Sequence, residues 1–346
     1  MERMSSVERC LAAIELRTPD RVPVDLHNFQ PAALATGITM SDVFQDGAML
    51  AEAMLSAWKE FGHDMILLEN GTACNAQACG MTVTYREDSA PVVHGQILKS
   101  LADVEHLEVP DPETTFPMSE ILKATRILKR EIGDRVWICG RADQGPMDLS
   151  AQLRGISELM MDIAADEEED LIHGLLDYAR RVATRYAIAL IEAGAHSTSI
   201  GEPVAGPEMM APAHYRQYAW PHEKRMVDEL KARGIILHNH ICGDTIPILD
   251  DFIATGAQVL EVDHKTDMRA AKEGGRGRTC FLGNIDTGLL ARGTPGDVAA
   301  ACREAVEVFA PGSGFILGPG CAMSAETPPE NIHVLVESAR RYNPYG

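Results

Sequence analysis

The stretch GIILHNHICGDT, residues 234–245, decides how the rest of the chain is read. A glycine closes a helix-patterned segment, the apolar run Ile235-Ile236-Leu237 follows, and His238, His240 and Cys242 then occupy alternate positions before Gly243. Alternation along a β-strand sends these three side chains to one face. The unit is a strand that begins apolar and ends in imidazoles and a thiol, with helix-patterned sequence on both sides.

The same unit recurs along the chain. Short β-rich runs lie at 21–26, 64–70, 135–142, 196–203, 235–243, 258–265, 279–286 and 314–321. Helix-patterned segments separate them, at 47–62, 167–194, 214–234, 294–310 and 328–342 among others. Thr294 before Pro295 has the chemistry of a helix start. The segment 81–100, MTVTYREDSAPVVHGQILKS, does not fit the alternation and reads as an extended excursion. Eight strand–helix units predict an α/β fold, a (β/α)₈ TIM barrel built as one domain over 1–346. An open doubly wound sheet is the alternative. In both, a ligand sits beyond the carboxyl ends of the strands. Polar residues gather there: Asp25, Glu69, Arg141, Glu202, His240, Cys242, Asp263, Asn284 and Cys321.

Bulk properties narrow the partners. The 346 residues hold 31 lysines and arginines against 51 aspartates and glutamates, a net charge of −20. Such a balance argues against nucleic acid and against anionic membrane surfaces. Eight cysteines are too sparse for a disulfide scaffold at this length. The opening MERMSSVERCLAAIEL lacks the pattern of a secretory signal, and no apolar run approaches the ~20 residues of a membrane span. These features predict a cytoplasmic protein with reduced thiols.

His240 and Cys242, two apart on one strand face, can reach a common ion, and a mixed imidazole–thiolate set favours zinc. Strand five lies across a barrel mouth from strand eight, which ends GFILGPGC and brings Cys321 to the same end. Three protein ligands leave one tetrahedral position open, the pattern of a catalytic site. Glu202, ending strand four, is the expected fourth ligand of the resting site, or else a carboxylate that caps a loop. Asp263 or His264, ending strand six, is expected to orient His240 through its second ring nitrogen. His238 lies one layer deeper and reads as a hydrogen-bonded core residue. Cys74 and Cys79 read as structural, Cys139 and Cys280 as core, and Cys10 and Cys302 as helical residues without a site.

With these residues in view, SIGEPVAGPEMMAPAHYRQYAWPHEKRMVDELKARGIILHNHICGDT (199–245) resembles the central region of the uroporphyrinogen decarboxylase superfamily. The opening SSVERCLAAIELRTPDRVPVD and the closing GFILGPGCAMSAETPPENIHVLVESAR are similar to its first and last units. The resemblance implies a distorted barrel over nearly the whole chain. The decarboxylase branch carries arginines in an RQAGRY-like signature, whereas the segment here is HNFQPAALATG. The cobalamin-dependent branch, which includes methylcobamide:coenzyme M methyltransferases, carries His-x-Cys and a later Cys, matched by His240, Cys242 and Cys321. That branch implies Zn²⁺ as cofactor and methyl transfer from a methylcobamide to a thiol such as coenzyme M; Glu202 and Asp263, from their places at the ends of strands four and six, are the expected catalytic residues. The corrinoid module's Asp-x-His-x-x-Gly signature has no match, VDHKTD being the nearest run, so a separate corrinoid protein is implied. The alternatives are a metal-free decarboxylase-like lyase and a non-enzymatic corrinoid or tetrapyrrole binder. An acidic acceptor head such as a sulfonate needs a cation or backbone donors, with Arg141 and the helix amino end near Ser324 as the candidates.

Overall fold

The computed structural model describes residues 4–345. Seven strands form one sheet in chain order: β1 (Met65–Leu68), β2 (Trp137–Gln144), β3 (Ser197–Gly201), β4 (Leu237–Ile241), β5 (Val259–Val262), β6 (Cys280–Ile285) and β7 (Phe315–Pro319). Every neighbouring pair is parallel. The sheet curls until its edges meet at one segment, where Val24 bridges Leu317 of β7 and Asp25 bridges Met65 of β1. The result is an α/β barrel with a distorted seam.

The expected first strand, 21–26, is thereby corrected to a pair of isolated bridges. Pro23 has no N–H, and the Val24 N–H donates to the Asp64 carboxylate at 3.0 Å instead of to a neighbouring strand. Among the described residues, Asp25 N–H to Leu317 O (3.0 Å), Leu317 N–H to Pro23 O (2.9 Å) and the Asp64 and Met65 amides on Val24 O stitch the seam. The excursion at 81–100 contains an antiparallel hairpin of Thr82–Thr84 against Val92–His94, outside the barrel sheet.

Alternation along the strands sorts residues into two cores. Ile66, Leu68, Ile138, Ile200, Leu237, Ile241, Leu260, Val262, Phe281, Phe315 and Leu317 join the helix layer in the larger apolar cluster. Met65, Leu67, Trp137, Cys139, Val259, Cys280, Leu282 and Ile316 form a second cluster inside the barrel. The helices that frame the site are α1 (Ser6–Ile14), α2 (Gly47–Phe61), α3 (Pro146–Arg154), α4 (Glu169–Glu192), α5 (Trp220–Ala232), α6 (Pro295–Phe309) and α7 (Pro329–Arg341). Helix α1 starts in a capping box of Ser5 and Glu8, and its Cys10, Ala13 and Ile14 plug the lower end of the barrel interior. Thr294 caps α6 in a second capping box with Asp297. With its base filled largely by apolar side chains, the barrel carries its charged interior positions toward the carboxyl ends of its strands. Among the described residues no helix is long and apolar enough to cross a membrane.

Candidate metal centre

The interior face of β4 reads Ile236, His238, His240 and then Cys242, one residue beyond the strand end. The same parity in β5 gives Val259, Glu261 and Asp263, and in β2 gives Trp137, Cys139 and Arg141. An apolar layer is therefore followed by a charged layer, and the metal-ligating types come last.

His240, Cys242 and Cys321 are brought together at the mouth, their ligand atoms all within 4.8 Å of one another. His240 Nε2 lies 3.1 Å from Cys242 Sγ, and the two sulfurs are 3.9 Å apart. His240 is buried and both cysteines are half-buried. Two glycines make this meeting possible. Gly243, at φ 85°, turns the chain away directly after Cys242. Gly320 precedes Cys321, and a Cβ there would stand 2.8 Å from the His264 backbone nitrogen, so only glycine lets the end of β7 lie against the turn after β5.

The ring of His240 is fixed from behind. Its Nδ1 is 3.1 Å from the Glu261 carbonyl oxygen, which only accepts, so Nδ1 carries the hydrogen and Nε2 presents its lone pair to the cysteines. Neither Asp263 nor His264, the residues expected in this role, provides that contact. Asp263 instead accepts the Gly243 N–H at 2.9 Å and lies 2.6 Å from His264 Nδ1. It holds the turn that follows Cys242. A hydrogen bond from Cys242 pulls the Cys321 thiol well below the usual thiol range, and the same bond with burial pushes Cys242 up.

Glu202 stands elsewhere. Its carboxylate accepts the backbone N–H groups of Met147 (3.1 Å) and Asp148 (2.8 Å), so it caps the amino end of α3. It is fully buried, and burial with Glu223 and Asp148 nearby pushes its carboxyl well up. The structure sets this carboxylate on the amino end of α3, in the preceding unit, rather than on the loop that follows its own strand.

Below the cluster lies a chain of charged contacts. His27 Nε2 is 3.0 Å from Glu69 Oε2, Glu69 Oε2 is 2.9 Å from Arg141 Nε, and Arg141 Nη1 is 3.7 Å from Glu261 Oε2. Glu261 continues to His238 Nδ1 at 3.6 Å and to His240 Nδ1 at 4.0 Å. Burial opposes the charge on Glu261, yet His238, Arg141 and His240 pull its carboxyl down to about 2. Burial likewise opposes charge on His238, but Cys139 and Glu261 raise it to about 10. Asp25 has no such support, and burial lifts it to about 7. His27 and Glu261 were not among the expected residues. Glu261 had a signal, since it lies two before Asp263 in the otherwise apolar run VLEV (259–262); His27 had none beyond its place near a strand end. Cys139 and Cys280 are core as expected, Cys74 and Cys79 bond buried tyrosines, and none of the four joins the metal centre.

Comparison with known proteins adds an independent line. The family model described as Uroporphyrinogen decarboxylase (URO-D) matches residues 5–342. The methylcobamide:CoM methyltransferase MtbA of Methanosarcina acetivorans is 28% identical over 359 residues, 99% of each chain. A uroporphyrinogen decarboxylase of Thermus thermophilus is 29% identical over 304 residues, 86% of each chain. A solved structure of a methyltransferase from Methanosarcina mazei superposes with a TM-score of 0.90 at 26% identity, covering 98% of this chain and 99% of the other.

Proposed function

The chain belongs to the uroporphyrinogen decarboxylase family, and we propose that within it this protein is a zinc-dependent methyltransferase that moves a methyl group from a methylated corrinoid to a thiol. The observation that carries the reading is the His240, Cys242 and Cys321 cluster at the mouth of the barrel. Full-length similarity to methylcobamide:CoM methyltransferases supports the same chemistry.

The cluster suits zinc. Zn–N and Zn–S bonds of ~2.0–2.3 Å in a tetrahedron set ligand atoms about 3.5–3.8 Å apart, and the distances here are 3.1 and 3.9 Å. Two sulfurs and one imidazole leave the fourth position for an exogenous group. Zinc held there supplies a position at which a thiol binds as its thiolate at neutral pH. The protein's residues do the rest. The Glu261 carbonyl fixes the His240 tautomer, Asp263 holds the turn bearing Cys242, and Gly320 seats Cys321. Glu202 is occupied with α3, so no carboxylate of strand β3 competes with the acceptor.

In the transfer the acceptor sulfur forms a bond to the methyl carbon and the cobalt–carbon bond breaks. Its electron pair remains on the corrinoid as cobalt(I), and the thiol proton leaves to solvent. A separate corrinoid protein presents the methyl group at the open mouth, the arrangement implied by the family resemblance. The test is metal analysis followed by a methylcobalamin assay. We expect about one zinc per chain and thiol-dependent conversion of methylcobalamin to cobalt(I), both lost together in Cys242→Ala. Full turnover by metal-free Cys242→Ala protein would replace this reading with that of a metal-independent lyase.

A further inference from the structure

All three members of the metal cluster lean on one element that supplies no ligand: the end of β5 and the turn that follows it. The Glu261 carbonyl accepts from His240 Nδ1 at 3.1 Å. The turn 263–266 then reaches both cysteine segments. On the Cys242 side it engages both backbone groups of the next residue, Gly243. The Gly243 N–H donates to Asp263 Oδ2 at 2.9 Å, and its carbonyl accepts the Thr266 hydroxyl at 3.0 Å. On the Cys321 side, a Cβ at Gly320 would stand 2.8 Å from the His264 nitrogen and 3.1 Å from Asp263 Cα. The same turn reaches over the outside of Gly243. Lys265 Nζ lies 2.7 Å from Glu208 Oε1, and a Cβ at Gly243 would stand 2.8 Å from Glu208 Cδ.

Thr266 is the centre of this arrangement. It is 2% exposed, and Thr245 is fully buried. The Thr266 hydroxyl has one hydrogen, given to Gly243 O, so its lone pairs accept the Thr245 N–H and the Thr245 hydroxyl, each at 3.0 Å. The turn that carries it is closed by its own bonds, Thr266 N–H to Asp263 O at 3.1 Å and Lys265 N–H to Asp263 Oδ1 at 3.3 Å. Loss of the hydroxyl would leave the Gly243 carbonyl and the Thr245 N–H buried without that partner, in the segment directly after Cys242.

We infer that Thr266 is a positioning residue of the metal centre, which fixes the Cys242 sulfur relative to Cys321 by holding Gly243 and Thr245. This rests on the zinc reading above and adds the residue that sets the spacing of the two thiol ligands. Its side chain bonds to none of the three ligand residues, so it acts by ordering the Cys242 turn before metal arrives.

Zinc affinity, measured by competition with a chromogenic chelator, tests this, with the melting temperature of the metal-free protein measured beside it. Thr266→Val keeps the shape and loses the hydroxyl, and is expected to bind zinc about tenfold more weakly, the low end of losses from outer contacts. Thr266→Ser keeps the hydroxyl and is expected to stay within about threefold of the wild type, below that range. Thr255→Val is the control. Thr255 is also fully buried, ahead of the amino end of β5, with its hydroxyl on Phe252 O at 2.7 Å. Its replacement should lower the melting temperature and leave zinc affinity unchanged. An unchanged affinity in Thr266→Val, or an equal loss in Thr266→Ser or Thr255→Val, overturns the inference and leaves the zinc reading standing. If Thr266→Val does not fold, Thr245→Val decides: it removes one of the three contacts, an affinity loss of about threefold is expected, and no loss overturns the inference. Wild-type protein that binds no zinc overturns the metal reading, and this inference with it.

Discussion

His240, Cys242 and Cys321 differ in how much each depends on its neighbours. Cys242 and Cys321 bind through their own sulfurs, so Cys242→Ala or Cys321→Ala is expected to cost about a hundredfold or more in zinc affinity, above the usual loss from an outer-shell contact. Zinc retained at about one per chain in either variant would count against the cluster. Glu202 makes the opposite prediction. Its oxygens accept two amides of α3, and Gly145 has no side chain because a Cβ there would stand 2.5 Å from Glu202 Oε1. Glu202→Gln keeps one acceptor oxygen and turns an amide nitrogen toward an N–H, a loss of about 1–3 kcal/mol. Denaturant unfolding should show that loss, while zinc-edge X-ray absorption should be unchanged. A lost oxygen ligand in the mutant spectrum would return Glu202 to the metal. The ligand trio was legible because strand parity and strand ends are local properties of the sequence. The engagement of Glu202 was not, because its amides belong to the neighbouring β2–α3 unit, and sequence order says which face a side chain takes but not which neighbour reaches it first.

At the scale of elements, the weak point of the barrel is the seam made by Val24 and Asp25, and one residue holds it. The Asp64 carboxylate, 1% exposed, accepts from Ser6 Oγ (2.7 Å), Arg9 Nη1 (2.6 Å), Arg21 Nη1 (2.6 Å), Arg21 Nη2 (3.0 Å) and the Val24 N–H (3.0 Å). It ties α1, the seam segment and the entry to β1 to one point. Asp64→Ala removes the counter-charge shared by two buried arginines, an expected loss of about 3–5 kcal/mol. Unfolding by urea measures it, and the folded fraction should still bind zinc, because the ligands stand on β4 and beyond β7. A loss within about 0.5 kcal/mol, the range of an ordinary surface substitution, would mean that the seam is held by other contacts. The seam also marks where sequence reading of the elements stopped. The run RVPVDL (21–26) has the composition of a strand, yet Pro23 and the Asp64 side chain remove ladder donors. The second of these is a tertiary event with no local signature. Elements with intact local logic matched closely, as α6 did behind its Thr294 cap.

The whole molecule buries more acid than it can pair, and its stability should depend on pH accordingly. Burial raises Asp25, Asp143 and Glu223 to about 7 and Asp148 to about 6, against ~4 in the unfolded chain. A group raised in the folded state gives its full stabilisation below the unfolded value and loses it as pH rises through the folded one. His238 acts in the same direction. Despite burial, Cys139 and Glu261 raise it to about 10, so its contribution is lost above the unfolded histidine value of ~6.5. His63, His196 and His222 oppose these, since burial lowers each to about 4. Their contribution grows between pH ~4 and ~6.5 and is complete above that. Glu261, held at about 2, loses its contribution only in acid. Above pH ~6.5 the resolved shifts of these buried groups therefore all point the same way, and the net charge of −20 adds repulsion in the same sense. The Cys242→Ala/Cys321→Ala variant is the right molecule for the measurement, because it carries neither pH-dependent zinc nor the interacting pair of thiols. Its melting temperature is expected to fall steadily from pH 6.5 to 8 and to change less between pH 5 and 6.5, where histidines and acids oppose one another. A melting temperature that holds or climbs above pH 6.5 would mean that the buried acids are already ionised in the folded barrel, and that the interior is better supplied with positive partners than its contacts indicate.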